Sequence, residues 1–176
     1  MKPEGHGYIA DYKPFNFVDG EGVRCSLYVS GCHLHCPHCF NKKAQSFHYG
    51  TPYTSQLEQQ ILEDLAQPYV QGLTLLGGEP FLNLAICLPL VHKVRQRLPN
   101  KDIWAWTGFY FEELLEQPLQ KQLLTAIDVL VDGPYDEERR VLNQQFYGSD
   151  NQRIIDVQAS LKQHEVVLWT PRGEQR

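Results

Sequence analysis

The alternation of apolar and polar residues along the chain predicts short strands that take turns with amphipathic helices. Residues 23–30 alternate in this way and predict a first strand, which runs directly into a cysteine-rich segment. From Ser55, the expected N-cap, with Glu58 three residues later, apolar residues recur at the spacing of one helix face. That face consists of Leu57, Ile61, Leu62 and Leu65. A short apolar run at residues 73–76, which ends at a GGEP turn, predicts a buried strand.

The same alternation continues towards the C-terminus. Residues 88–98 predict a helix that begins near Pro89, because proline is tolerated in a first turn but not in a helix interior. Strands are expected at residues 103–107 and 126–132, with a helical segment at residues 111–115, and RIIDV and EVVLW near the end could each add a strand. Strands that alternate with helices indicate βαβ units, and thus an α/β fold with a mostly parallel sheet.

The composition of the chain limits its organisation and its partners. With 176 residues and 42% hydrophobic content, we expect one domain over residues 1–176, with residues 170–176 as a mobile tail. The net charge of -5 and the lack of a basic run argue against a nucleic-acid partner. No apolar stretch approaches the ~20 residues that span a bilayer, and the first residues do not resemble a signal peptide, so we expect a cytoplasmic protein without membrane contact.

Three of the five cysteines lie in the segment SGCHLHCPHCFN, in CxxxCxxC spacing. They are Cys32, Cys36 and Cys39, and an odd, clustered set of cysteines fits metal binding better than a disulfide framework. Cys25 lies within the first predicted strand and Cys87 in an apolar stretch, so we expect both to be core residues.

Two kinds of metal site are compatible with this segment. A structural zinc ion needs four protein ligands, and the fourth would be His33, His35 or His38. An iron-sulfur cluster usually takes four thiolates, so three would leave one iron free to bind a substrate. The cysteine segment alone does not distinguish the two.

The GGEP turn, about forty residues downstream, favours the iron-sulfur cluster over the zinc site. Gly77 and Gly78 let the backbone approach a ligand closely, and Glu79 adds an acceptor at the same strand end. Alone, such a turn would be an ordinary strand-to-helix connection. Here both motifs follow successive strands of a predicted parallel sheet, and ligands bind at the carboxyl ends of such strands.

These motifs resemble those of the radical S-adenosylmethionine (SAM) enzymes. More narrowly, the chain resembles the activating proteins of anaerobic ribonucleoside-triphosphate reductases, which are glycyl-radical-enzyme activases. The resemblance rests on GEGVRCSLYVSGCHLHCPHCFN, LLGGEP, KDIWAWTGF, VLVDGPY and YGSDNQRIIDV. One position departs, because this group usually has glycine where the chain has His38, while Phe40 and Asn41 follow the pattern.

The resemblance implies a single-domain partial (β/α)6 barrel of the radical SAM type. It implies that Cys32, Cys36 and Cys39 hold a 4Fe-4S cluster whose fourth iron binds S-adenosyl-L-methionine. On this view the chain is an oxidoreductase, since the reduced cluster would cleave SAM to a 5'-deoxyadenosyl radical. That radical would abstract hydrogen from a backbone glycine of the reductase.

The resemblance also implies which residues contact SAM. His38, Cys39 and Phe40 would surround the adenine, Gly77 and Gly78 would meet the methionine moiety through backbone groups, and Glu79 would orient its ammonium. Thr107 and Gly108 are candidates for ribose or carboxylate contacts, and Asp132 is a further candidate. We expect Trp104 and Trp106 to be core residues.

Two partners follow from the same resemblance. They are the glycyl radical subunit of the reductase and a one-electron donor such as flavodoxin or ferredoxin. The alternatives within the same chemistry are a pyruvate formate-lyase-type activase or another small radical SAM enzyme. The alternative from a different class is a binding module stabilised by a zinc Cys3His site.

Overall fold

The computed structural model describes residues 6–174, in which seven strands form one sheet. The strands are β1 (Tyr8–Asn16), β2 (Arg24–Val29), β3 (Thr51–Pro52), β4 (Gly72–Gly77), β5 (Asp102–Trp106), β6 (Val129–Asp132) and β7 (Arg153–Asp156). The α-helices are α1 (Ser55–Leu65), α2 (Leu84–Arg97), α3 (Phe111–Glu116), α4 (Pro118–Leu124) and α5 (Val157–Gln163). None of these helices is long and apolar enough to cross a membrane.

The strand order is β3-β1-β2-β4-β5-β6-β7, and only its centre is parallel. Strands β2, β4, β5 and β6 run parallel, whereas β1 pairs antiparallel with β2 and with β3, and β7 pairs antiparallel with β6. The predicted α/β fold with a mostly parallel central sheet is therefore confirmed. The described chain contributes four parallel strands, fewer than a set of six βα units would have.

The strand predicted at residues 23–30 is present as β2, but it is the second strand of the described chain and not the first. Strand β1 precedes it and was missed because its sequence, YIADYKPFN, contains a proline and several exposed polar residues. The register of its pairing with β2 shifts between Lys13 and Asn16, and Pro14 lies within that irregularity. Proline is tolerated at such positions because no ladder hydrogen bond is required there.

Helices α1 and α2 correct two details of the predicted boundaries. The N-cap of α1 is Thr54 rather than Ser55, since the Thr54 hydroxyl accepts from the Leu57 N–H at 3.2 Å. Helix α2 begins at Leu84 rather than near Pro89, which therefore lies inside the helix. The helix gives up one backbone hydrogen bond at Pro89, and burial of its apolar face offsets that cost.

The end of the chain differs partly from the prediction. The segment RIIDV supplies β7, but its valine begins α5, and residues 165–169 form only a single bridge, between Ile155 and Leu168. Helices α4 and α5 were not predicted. Of the predicted mobile tail, residues 175–176 lie outside the described chain, and Arg172 pairs with Asp102 at 2.8 Å.

The two faces of the sheet are built differently. On the helix face, Leu27, Leu73 and Leu75 pack with residues of α1 and α2 in the apolar core, which also contains Cys25 and Cys87 as predicted. Successive side chains of a strand point to opposite faces, so their neighbours occupy the other side. That side, which we call the cavity face, carries Arg24, Ser26, Tyr28, Thr74, Leu76, Trp104 and Trp106.

Candidate metal and cofactor site

The loops that follow β2 and β4 are hydrogen-bonded to each other. The Gly78 N–H donates to the Val29 carbonyl at 2.7 Å, and the Glu79 N–H donates to the Gly31 carbonyl at 2.9 Å. The Asn83 side chain also donates to the Gly31 carbonyl, at 3.1 Å. The cysteine segment and the GGEP turn therefore form one continuous structure at the carboxyl edge of the sheet, as the sequence predicted.

The cysteines Cys32, Cys36 and Cys39 are all half-buried free thiols that line one cavity of about 760 Å³. Burial raises the pKa of the Cys32 thiol, and negative charge on Glu79, Cys36 and Cys39 raises it further. Burial likewise raises the pKa of Cys36, and so does charge on Cys39. Burial and the neighbouring charges thus favour the neutral thiol at both of these positions.

No three His, Cys, Asp or Glu side chains within residues 6–174 already stand in the geometry of a metal site. The donor set still fits an iron-sulfur cluster, because thiolates are the protein ligands that such clusters take. Three thiols converge on one cavity, whereas the other two cysteines are buried in the apolar core. The cysteines that line the cavity are therefore the ones available to such a cluster in the described chain.

Gly77 and Gly78 are required by the packing of the two loops. Gly77 has a φ of +109°, and a Cβ there would lie 2.6 Å from the Val29 nitrogen. A Cβ on Gly78 would lie 2.7 Å from the Gly31 oxygen. Both glycines also line the cavity, so the close backbone approach expected from the sequence is made first of all to the chain itself.

Glu79 connects the ends of β4 and β5. Its side chain is almost fully buried, and it accepts from the Gly108 N–H at 2.9 Å, the Thr107 hydroxyl at 2.9 Å and the Phe81 N–H at 3.1 Å. Burial raises the pKa of Glu79 to about 7, and these three hydrogen bonds oppose that rise. The carboxylate therefore positions Thr107 and Gly108, which line the cavity beside it.

The cysteine loop closes against the same strand end. A Cβ on Gly108 would lie 2.3 Å from the Cδ1 atom of Leu34, so a side chain at this position would require the Leu34 side chain to move. Leu34 lies between Cys32 and Cys36 in the chain. Three predicted groups of site residues, from the ends of β2, β4 and β5, are thus brought together around one cavity.

His38 has a left-handed backbone conformation, with a φ of +56°. Glycine adopts this conformation without the steric cost that a side chain brings. This geometry gives a physical reason for the glycine that the sequence resemblance expects at this position. His38 and Phe40 both line the cavity, and the Phe40 side chain is fully exposed at its border.

Two of the three histidines considered for zinc have other contacts. The ring of His33 lies against Phe47, with 4.8 Å between ring centroids. His35 Nδ1 lies 3.3 Å from the side-chain oxygen of Gln45. Both imidazoles thus contact side chains of the segment that follows the cysteines.

The far wall of the cavity comes from residues 133–152, which the sequence did not predict as site residues. Tyr135, Arg140, Leu142 and Gln152 all line it. Gln152 accepts from the Gly148 N–H at 2.9 Å and donates to the Gly133 carbonyl at 3.0 Å, so it fixes this wall to the end of β6. The only sequence signal was that VDGPY and YGSDNQRIIDV belong to the segments of family resemblance.

Asp132, the further cofactor candidate that the sequence suggested, is not among the residues that line the cavity in the described chain. Within the described chain, its buried carboxylate accepts from the Phe111 N–H at 2.9 Å and pairs with Arg153 at 2.5 Å. It therefore caps α3 and joins β6 to β7. Of the two tryptophans expected in the core, Trp104 is buried, whereas Trp106 also lines the cavity and donates to the Phe146 carbonyl at 2.8 Å.

Comparison with known proteins agrees with this geometry. A family model described as a 4Fe-4S single cluster domain matches residues 18–155, which include all three cysteines and the GGEP turn. An anaerobic ribonucleoside-triphosphate reductase-activating protein of Pasteurella multocida (strain Pm70) is 46% identical over 147 residues, which cover 81% of this chain and 93% of that protein.

Proteins of the same name from other organisms are also similar to this chain. The one of Escherichia coli (strain K12) is 40% identical over 81% of this chain and 94% of its own length. The one of Enterobacteria phage T4 is 38% identical over 80% of this chain and 88% of its own length. The chain therefore belongs to the 4Fe-4S single cluster domain family, and within it to the anaerobic ribonucleoside-triphosphate reductase-activating proteins.

Proposed function

We propose that this chain cleaves S-adenosyl-L-methionine reductively at a 4Fe-4S cluster and generates a glycyl radical on an anaerobic ribonucleoside-triphosphate reductase. The observation that carries the proposal is the set of three thiols, Cys32, Cys36 and Cys39, on the same cavity as the GGEP turn. A cluster held by three thiolates keeps one iron available for SAM. The names of the relatives support the reductase as the partner.

The cluster, when bound, supplies the electron that splits the carbon-sulfur bond of SAM and so produces the radical that takes hydrogen from glycine. The protein has to bind, orient and shield the reacting groups. The cavity of about 760 Å³ lies within the range of small-molecule sites, and its walls come from four separate segments of the chain. Once a partner closes the open side of the cavity, these walls would shield the reacting groups from solvent and side reactions.

The carboxylate of Glu79 is proposed to orient the ammonium of SAM. A carboxylate offers roughly four acceptor positions, and three are used by Phe81, Thr107 and Gly108. We propose that the ammonium takes the remaining position, on Oε2. The adjacent Gly77 and Gly78 are proposed to present backbone groups to the methionine part.

The remaining contacts of SAM are proposed on the other sides of the cavity. His38, Cys39 and Phe40 form the wall assigned to the adenine, and Thr107 and Gly108 form the wall assigned to the ribose or the carboxylate. The Thr107 hydroxyl already donates to Glu79 and accepts from the Phe109 N–H at 3.1 Å. The hydroxyl can still accept one hydrogen bond but has no second hydrogen to donate, so a hydroxyl group of the ribose matches it better than a carboxylate.

The fold is proposed to be a reduced, open version of the radical SAM barrel within a single domain of residues 1–176. The support is the run of four parallel strands, whose carboxyl ends carry the site, and the antiparallel strands β1 and β7 that flank them. A barrel open on one side suits a substrate that is part of another protein. The reductase would then close the cavity.

The proposal is tested by anaerobic reconstitution of the full chain with iron and sulfide. We expect about four irons per chain, bleaching of the cluster colour on reduction, and formation of methionine and 5'-deoxyadenosine from SAM. With the reductase present, a glycine-centred radical should appear in the electron paramagnetic resonance spectrum of that partner. A colourless protein that binds one zinc ion and does not cleave SAM would contradict the proposal and favour the Cys3His module.

A further inference from the structure

The charged residues of this chain are unevenly distributed. The chain has 16 basic and 21 acidic residues, but residues 22–57 contain three basic residues and no aspartate or glutamate. One of the three, Arg24, is fully buried and paired with Asp102 at 2.6 Å. The positive charge that this segment offers to solvent therefore comes from Lys42 and Lys43.

Both of these lysines are exposed and available. Neither takes part in any of the nine ion pairs found among the described residues. By contrast, Lys93 pairs with Glu58, and Arg95 pairs with Asp128 at 2.7 Å. Two adjacent uncompensated cations on an acidic protein form a local positive surface that a negatively charged partner would recognise.

The turn that carries these lysines is hydrogen-bonded to the cysteine loop. We call residues Lys42–Gln45, a single 3-10 turn, the lysine turn. The Ala44 carbonyl accepts from the Gly31 N–H at 2.7 Å, and the Gln45 carbonyl accepts from the Cys32 N–H at 3.0 Å. A hydrogen bond thus leads directly from this turn to the backbone of a cysteine proposed as a cluster ligand.

The lysine turn lies outside the cavity. Asn41 lines the cavity, but Lys42 and Lys43 are not among the residues around it. A partner bound at the lysines would therefore approach the cysteine loop from its outer side and leave the cavity open.

We propose that the lysine turn is the docking surface for an acidic one-electron carrier protein that reduces the cluster. This inference rests on the proposed function, since it assumes a cluster that must be reduced. The carrier loses one electron and the cluster gains it, and no other bond is made or broken. The reductase fits this surface less well, because its glycine has to enter the cavity, which the lysines do not border.

The small size of the lysine turn suits this kind of partner. Electron-transfer complexes are weak and have small interfaces, since the carrier must leave after each transfer. Complementary charge in such complexes mainly accelerates association, and the acceleration falls steeply as salt screens it. Two lysines next to the backbone of a proposed cluster ligand can therefore steer the carrier into place, and no large apolar contact area is needed.

The test compares two charge-reversed variants of the reconstituted full chain. The first is Lys42→Glu/Lys43→Glu, and the control is Lys121→Glu/Lys162→Glu, which changes the net charge equally at exposed lysines on α4 and α5. Reduced flavodoxin serves as the acidic carrier, and bleaching of the cluster is followed by stopped-flow absorbance. We expect the first variant to lower the bimolecular rate constant by about tenfold at low ionic strength, and the control to change it by less than about twofold.

Two further measurements, the salt dependence of the rate and the binding of the oxidised carrier, test the proposal more strictly. The difference between the variants should shrink near 1 M salt, where the Debye length is about 3 Å. Titration of isotope-labelled oxidised flavodoxin should give weaker chemical-shift changes with the first variant than with the control. Equal rates and equal binding for the two variants would overturn the proposal.

A chemical reductant separates this inference from the proposed function. With dithionite, both variants should reduce their clusters and cleave SAM at the unaltered rate, because no protein has to dock. If dithionite produced no SAM cleavage even in the unaltered chain, the proposed function itself would fail. If the first variant, reduced by dithionite, no longer formed the glycyl radical on the reductase, the lysine turn would belong to the reductase interface and the carrier proposal would be wrong.

Discussion

The helix face and the cavity face of the sheet use neighbouring residues of the same strands for opposite purposes. On β4, Leu73 and Leu75 belong to the apolar core, whereas Thr74 between them lies on the cavity face. The Thr74 hydroxyl donates to the Asp19 carbonyl at 2.8 Å and accepts from Arg24 at 2.7 Å. The helix face is held together by contact area, and the cavity face by hydrogen bonds between specific partners.

The difference between the faces indicates which parts of the molecule need fixed distances and directions between groups. Apolar contacts tolerate small shifts, because they depend mostly on buried area and shape. Hydrogen bonds of buried polar groups fix directions and distances, and an unpaired one is costly. The cavity face is ordered by such hydrogen bonds. The same is true of Glu79 at the edge of the sheet, where the three groups that donate to its carboxylate fix the loops around the cavity.

The largest expected effect is the loss of the cluster from the edge of the sheet. Cys36→Ala should abolish iron incorporation into a 4Fe-4S cluster and SAM cleavage, because two thiolates remain where three are needed. Cys87→Ala, in the core on the helix face, should keep both. Iron and sulfide analysis together with 5'-deoxyadenosine formation measures the effect, and full cluster content in Cys36→Ala would contradict the assignment.

The next largest effect is on the free energy of unfolding, and it differs between the two faces of the sheet. Leu75→Ala should lower the free energy of unfolding by about 2 to 5 kcal/mol, because it leaves a cavity in the core. Thr74→Val should lower it by about 1 to 3 kcal/mol through unpaired polar partners, Asp19 and Arg24, although it leaves no cavity. Urea denaturation of the metal-free protein measures both values. A neutral Thr74→Val would show that the hydrogen bonds on the cavity face contribute little.

A third effect concerns the pH dependence of stability. Burial raises the pKa of Glu79 from 4.5 to about 7 in the folded protein, so between these values the folded state binds a proton that the unfolded state has lost. The free energy of unfolding of the metal-free protein should therefore fall as the pH rises through this range, by on the order of 3 kcal/mol.

Two variants identify the source of that decline. Glu79→Gln should remove it, since the amide does not titrate. Glu112→Gln should leave it in place, because the hydrogen bond of Glu112 to Arg153 lowers rather than raises the pKa of that carboxyl. Urea denaturation at several pH values distinguishes them, and an unchanged decline in Glu79→Gln would assign the effect to another group.

The smallest expected effect lies in the cysteine loop. His38→Gly should raise the stability of the metal-free protein by up to about 1 kcal/mol, because it relieves a left-handed residue that carries a side chain. His33→Gly, at a position without positive φ, should lower stability by a similar amount, since glycine adds backbone entropy to the unfolded chain. A loss of stability in His38→Gly would mean that contacts of the imidazole outweigh the strain.

Local patterns predicted the elements whose signal is contained in one short segment. Strands β2, β4, β5 and β6, the helix α1 and the burial of Cys25 and Cys87 all followed from alternation or apolar runs. Strand β1 did not, because its polar and proline residues obscure the alternation, and its pairing with β2 is what makes it a strand. The start of α2 was wrong because tertiary packing outweighed the local cost of Pro89.

The chemistry of the site was predictable from the chain, since the spacing of three cysteines and the GGEP turn are properties of neighbouring residues. How the predicted site residues are held in place became visible in the folded chain. The tertiary structure placed Thr107 and Gly108 on Glu79, residues 133–152 on the far wall, and the lysine turn against Cys32. These relations join residues that are distant in the chain, so they depend on which strands become neighbours, and a local pattern does not specify that.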